Sequence, residues 1–157
     1  MEITLYKESY KQQIIDLVLH IQNEEAKINL SLEEQPDLLD IPQNYTANGG
    51  RFWVAADGNQ VVGTVGLMKE GDTGILKKFF VHKDWRAKKV GLALYQSLLR
   101  FAEEQKLARI ILDTPSVAEK SHRFYEHAGF RRITKEELPV PYHYPDRHSY
   151  LYMLTMK

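Results

Sequence analysis

The sequence has no cysteine at all, which excludes disulfides, thiolate metal sites and a cysteine nucleophile together. It has no surplus of either charge: 21 basic residues against 21 acidic ones give a formal net charge of zero. A general nucleic-acid binder carries a basic excess, so no nucleic-acid partner is expected. No apolar run reaches the roughly 18 residues of a transmembrane helix. The opening MEITLYKESYKQQ lacks a basic segment followed by an apolar one, so no signal peptide is read there. Repeats, low-complexity tracts and internal linkers are missing too. Together these absences lead to the expectation of a cytoplasmic protein without a membrane partner, folded as one domain over residues 1–157.

What is present is a series of short strands and helices. ITLYK reads as a strand, and SYKQQIIDLVLHIQNEEAKI as a helix with Ser9 as candidate N-cap. The segment from about Ala26 to Gly50 is broken by Pro36 and Pro42 and reads as a short helix in a long connection. RFWVAA, QVVGTVGLM and GILKKFFVH follow as three strands, with turn signals at Asp57-Gly58-Asn59 and Gly71-Asp72. From Val90 the apolar residues Val90, Ala93, Leu94, Leu98, Phe101 and Ala102 keep helical spacing. ARIILD then suits a buried central strand. TPSVAEKSHRFYEHAGF suits a helix from Val117 to Ala128, with Ser116 and Glu119 as a capping box and Gly129 as its stop. FRRIT and SYLYMLTM close the chain as strands around the loop PVPYHYPDRH. The fold class is therefore mixed α/β (α+β). About seven strands form a mixed, mostly antiparallel central sheet, flanked by about four helices.

One stretch raises a chemical question. In VHKDWRAKKVGLALYQSLLRFAEE, Arg86, Lys88 and Lys89 precede an amphipathic helix whose N-terminus already carries partial positive charge. Cations there are unfavourable unless an anion joins them. A strand, a tight connection and a basic helix start form a phosphate-binding arrangement. An ordinary solvated helix end is the competing explanation.

The spacing WRAKKVGLAL resembles the pyrophosphate loop of the GCN5-related N-acetyltransferase (GNAT) family, Arg/Gln-x-x-Gly-x-Gly/Ala. Arg86 stands at the first position and Gly91 at the last, while Lys89 replaces the middle glycine. The run Phe124, Tyr125, Glu126, Gly129 and Phe130 resembles the family's later motif, and the order of elements is similar over nearly the whole chain.

The resemblance implies a GNAT-like fold and transfer of an acetyl group from acetyl-CoA, as co-substrate and without a metal, directly to a primary amine. It implies cofactor contacts from Phe79, Phe80 and Val81, and from Arg86, Ala87, Lys88, Lys89, Val90, Gly91, Leu92 and Ala93. Phe124 and Tyr125 line the cofactor as well, and Tyr125 is the implied general acid. The family often uses an acidic base in or beside the fourth strand, where this sequence has none. Glu70, Asp72 and His82 lie just outside it, and none is assigned.

For the acceptor, a peptide or small-molecule amine, the sequence offers two regions. The acidic group Glu24, Glu25, Glu33, Glu34, Asp37 and Asp40 can attract a cation or simply face solvent. Tyr142, His143, Tyr144 and His148 can line a pocket or cover a core edge. Oligomeric state stays open, a homodimer included. A non-catalytic acyl-CoA or nucleotide sensor on the same scaffold is the alternative, and a DNA-binding regulator is a weaker third.

Overall fold

The computed structural model describes residues 1–146 and 148–156; Arg147 of the PVPYHYPDRH loop and Lys157 lie outside the described residues. Among the described residues seven strands form a single sheet: β1 (Glu2–Leu5), β2 (Arg51–Asp57), β3 (Gln60–Glu70), β4 (Thr73–Val81), β5 (Arg109–Pro115), β6 (Arg131–Ile133) and β7 (Ser149–Thr155). Their order across the sheet is β1-β2-β3-β4-β5-β7-β6. Every neighbouring pair is antiparallel except β4 and β5. Among the described residues four α-helices flank it: α1 (Lys11–His20), α2 (Ile41–Asn44), α3 (Val90–Glu104) and α4 (Glu119–His127).

The hydrophobic patterns explain which face each helix covers. On one side Ile14, Val18, Leu38, Ile41 and Tyr45 pack on Phe52, Val54 and Val61. On the other side Val90, Leu94 and Leu98 of α3, with Tyr125 of α4, pack on Val62, Val65, Leu67, Ile110 and Leu112. Strand residues alternate between the two layers because side chains alternate across a sheet. The two hairpin turns fall where glycine signalled them, with φ of +60° at both Gly58 and Gly71. That left-handed conformation is one glycine adopts at little steric cost.

Two N-caps differ from the sequence-based expectation. α1 begins at Lys11 after a 3₁₀ turn over Glu8–Tyr10, and Ser9 caps nothing. α4 begins at Glu119 with Ala118 at its N-cap, and the Ser116–Glu119 capping box does not form. The reason is tertiary: the Ser116 N–H donates to the His148 carbonyl at 3.1 Å, which holds Ser116 against the C-terminal loop. The stretch from Ala26 to Gly50 contains two 3₁₀ turns around the single-turn α2.

Candidate active site

Among the described residues the one parallel strand pair is short. β4 and β5 pair at Thr73–Arg109, Gly74–Ile110 and Ile75–Ile111, and at no later residue. β4 runs on to Val81 and β5 to Pro115, so the two strands fork beyond Ile75 and Ile111. β4 also carries a bulge in its register with β3, between the Thr64–Phe80 and Gly66–Lys77 pairs. Lys78 sits in that bulge with φ +54°, and its carbonyl accepts from the Thr64 hydroxyl at 2.7 Å. A bulge sharpens strand twist and re-aims side chains.

The sequence-predicted residues gather on the α3 side of the fork. Phe79 and Val81 pack against that core. The Phe79 ring lies 5.5 Å from Phe124 and 6.3 Å from Tyr125. Phe80 points the other way, toward the α1 layer, so of the three only Phe79 and Val81 present side chains to the α3 layer. A Cβ built on Gly91 would meet the Phe79 ring and Val81 at 3.7 Å, an ordinary contact. The protein itself therefore does not demand a glycine there.

The connection from β4 to α3 is shaped by backbone conformation. Ala87 and Lys89 both adopt left-handed geometry, with φ of +66° and +62°. Lys89, standing where the motif has glycine, keeps a glycine-like conformation as the N-cap of α3. Among the described residues no side chain caps the helix, and the first internal bond is Ala93 N–H to the Lys89 carbonyl at 3.1 Å. The N–H groups of Val90, Gly91 and Leu92 thus remain open, as at any uncapped helix start. This narrows the expected donor set: the Ala93 N–H is spent inside the helix because the helix begins at Val90. Lys88 lies over the Trp85 ring at 4.8 Å. Arg86 donates from Nε to the Val81 carbonyl at 2.9 Å and pairs with Glu25 at 2.7 Å. Glu25 comes from the π-helical turn Ile21–Glu25 that extends α1.

Tyr125 is buried, 6% exposed, among the rings of Phe124, Phe130 and Tyr152. Burial, then the nearby Asp113 carboxylate, pushes its hydroxyl well above the usual tyrosine range. It is a firmly protonated group. Close by, Tyr95 of α3 holds the single buried side-chain polar atom without a hydrogen-bond partner among the described residues.

Sequence reasoning missed the charged groups on the opposite, α1-facing side of the fork. Lys78 is 8% exposed along its side chain and lies 3.5 Å from Asp37, itself 14% exposed. Burial lowers the Lys78 ammonium from its ordinary value, against the opposing pull of Asp37. Asp37 also accepts from the fully buried Tyr45 hydroxyl at 2.7 Å. The Tyr45 ring reaches this position because Gly66 has no side chain; a Cβ there would come within 2.6 Å of it. Asp113, two residues past the last β5 residue paired with β4, has its carboxyl pushed up by burial, with Lys77 and Lys78 pulling it down. Tyr142 donates to it at 3.5 Å. Of the three carboxyl and imidazole candidates near β4, two lie away from the open end of the fork. Glu70 and Asp72 belong to the paired end, where Asp72 binds Arg109 at 3.0 Å. The His82 ring accepts from the Asp84 N–H at 3.1 Å. Of the acidic group, Glu25 and Asp37 pair with Arg86 and Lys78, Glu34 accepts from Ser31, and Asp40 is the N-cap of α2.

Comparison with known proteins agrees with this geometry. The profile of the Acetyltransferase (GNAT) family matches residues 15–130. An acetyltransferase from Streptococcus agalactiae shares 38% identity and superposes with a TM-score of 0.94, over 99% of this chain and 98% of that one. The PaiA N-acetyltransferase of Thermoplasma acidophilum, solved in complex with coenzyme A, has the same fold: TM-score 0.79 at 13% identity, over 99% and 98% of the two chains. Human N-acetyltransferase 8 is 31% identical over 103 residues, 61% of this chain and 45% of that protein. The chain spans about half the length of the curated relatives it matches.

Proposed function

The chain belongs to the GNAT acetyltransferase family, and from that premise we propose that it transfers an acetyl group from acetyl-CoA directly to a primary amine. One observation carries the reading: the β4–β5 fork opens beside a turn whose left-handed residues lead into three open N–H groups at the start of α3. The residues fit coenzyme A chemically. Open N–H groups at a helix start suit a diphosphate, Arg86 adds a cation, and Phe79 with Phe124 gives the fork an apolar wall.

Acetyl-CoA supplies the activated acetyl group. In this reading the Val90, Gly91 and Leu92 N–H groups hold its diphosphate, and Arg86 exchanges Glu25 for it. Asp113 takes a proton from the incoming ammonium, because burial makes it a stronger base than an exposed aspartate. The Tyr125 hydroxyl holds its proton toward the sulfur that leaves. The new bond joins amine nitrogen to acetyl carbon and the carbon–sulfur bond breaks; the proton Tyr125 gives to sulfur is replaced by the second proton lost from nitrogen, and Asp113 passes the first to solvent.

The test is CoA release over a panel of amines, alongside melting temperature with acetyl-CoA or ATP. Acetyl-CoA should raise the melting temperature far more than ATP does, since a ligand bound only by the native state stabilises it. Equal stabilisation by ATP would sink the acyl-CoA assignment. Binding without turnover on any amine would leave a sensor instead.

A further inference from the structure

Lys77 and Asp113 occupy a position that the sheet register makes specific. The last paired residues of the fork are Ile75 and Ile111. Had pairing continued, Leu76 would face Leu112 and Lys77 would face Asp113. Leu76 and Leu112 both belong to the α3-side core, so alternation puts Lys77 and Asp113 together on the α1 side. They are the first opposite charges beyond the point of separation. No ion pair within 4.0 Å joins them among the described residues. The neighbouring charges do not fill the gap, because Lys78 is already matched by Asp37 at 3.5 Å.

The loop over the fork meets both groups with a telling polarity. Tyr142 offers Asp113 a hydroxyl donor at 3.5 Å. The carbonyl of His143 accepts from Lys77 at 3.4 Å, and the Lys77 ammonium lies 5.2 Å from the Tyr142 ring centre. Both hydrogen bonds are at the long, weak limit. A ligand with an ammonium and a carboxylate would replace them by charge-assisted bonds of the same polarity. A simple cationic amine would instead satisfy Asp113 while facing Lys77 with like charge, which selects against it.

We propose that the acceptor is an amino-acid-like zwitterion, its ammonium received by Asp113 and its carboxylate by Lys77. This rests on the acetyltransferase reading and gives that reaction a substrate class.

The experiment measures CoA release with alanine, phenylalanine and lysine against alaninamide, phenylalaninamide and lysinamide. Each amide keeps the side chain and loses the carboxylate. Its amine is less basic, so free amine is more abundant and cannot explain a preference for the acid. The wild-type protein should prefer the acids by about tenfold in kcat/KM, the size of one lost charge-assisted contact. Lys77→Met should erase that preference while the acetyl-CoA-induced rise in melting temperature is unchanged. Amides turned over as well as acids, or a preference that survives Lys77→Met, would overturn the zwitterion while leaving the acetyltransferase standing. Absence of CoA release with all six and with a polyamine, despite an acetyl-CoA-induced shift, would overturn both.

Discussion

The two sides of the β4–β5 fork are built by different physics. On the α3 side the turn from Arg86 to Gly91 is contiguous in sequence, and it works through backbone conformation and open N–H groups. On the α1 side Asp37, Lys78, Asp113 and Tyr142 come from four separate segments and meet only as buried or half-buried side chains. The backbone of that turn depends little on the rest of the chain, the Arg86–Glu25 pair apart. The second side depends on several long-range contacts at once, and breaking the Asp37–Lys78 pair leaves a charge unmatched. Stability and chemistry should therefore respond to mutation in opposite ways on the two sides.

The strongest test of that contrast is Asp37→Ala. It strips a buried lysine of its carboxylate and leaves the Tyr45 hydroxyl without an acceptor. Breaking one member of a buried ion pair costs about 3–5 kcal/mol, and urea unfolding should show a loss of that size. Adding Lys78→Met should recover most of it, because the uncompensated charge is then gone. A loss below 1 kcal/mol would mean that the pair behaves as an exposed one, and the contrast would fail.

Next in size come the two groups assigned to proton transfer. Asp113→Asn and Tyr125→Phe should each lower kcat about a hundredfold, the lower end for general acid–base groups, with acetyl-CoA affinity nearly unchanged. The Asp113 carboxyl is pushed up by burial, which fixes two signs. Activity should fall as pH drops through a value above the ordinary carboxylate range, and Asp113→Asn should remove that limb. Stability runs the other way: a raised carboxyl contributes fully below its unfolded value of about 3.9, and the contribution is lost as pH rises through the folded value. Asp113→Asn should therefore melt higher than wild type at neutral pH while turning over more slowly. A variant that is both slower and less stable would make Asp113 structural.

How much of this was legible follows the same division. The α3 side could be read because its residues are neighbours: Arg86 and Gly91 are five apart, and helical spacing from Val90 is unbroken. The meander was legible from glycine turns whose φ values came out left-handed as required. The place of Asp113 at the fork was not, since a strand's pairing length leaves no mark on its own apolar pattern. Lys78 read as an ordinary strand lysine because the bulge that buries it arises from register with β3. Ser116 failed as a cap for a similar reason, a contact with His148 some thirty residues on.

A smaller effect concerns Arg86, which the turn shares with the α1 layer. Arg86→Ala should weaken acetyl-CoA binding about tenfold by calorimetry, the loss of one charge-assisted contact. Free-protein stability should change by less than about 1 kcal/mol, since the Glu25 partner is a surface one. Glu25→Gln sharpens the point. It releases Arg86 from its carboxylate and should tighten acetyl-CoA binding a fewfold, within the about 0.2–1 kcal/mol of such pairs. Weaker binding in Glu25→Gln would show that Glu25 orients Arg86 for the cofactor, and the two sides would then be coupled.

The smallest effect isolates the backbone itself. Lys89 stands at φ +62° with an exposed side chain, a conformation that costs a non-glycine residue about 1–2 kcal/mol. Lys89→Gly removes that strain but returns about 0.5–1 kcal/mol as extra freedom in the unfolded chain. The balance predicts a net gain of up to about 1.5 kcal/mol, or at most roughly 3–6 °C in melting temperature for a chain of this size. Because the N–H groups at 90–92 do not depend on the lysine side chain, acetyl-CoA affinity should stay within about twofold, a change below 0.5 kcal/mol. A clear loss of affinity at unchanged or higher stability would give the Lys89 ammonium a contact of its own with the cofactor. A loss of stability would mean that the turn is held by its side chains after all, and that the α3 side of the fork is built on the same principle as the other.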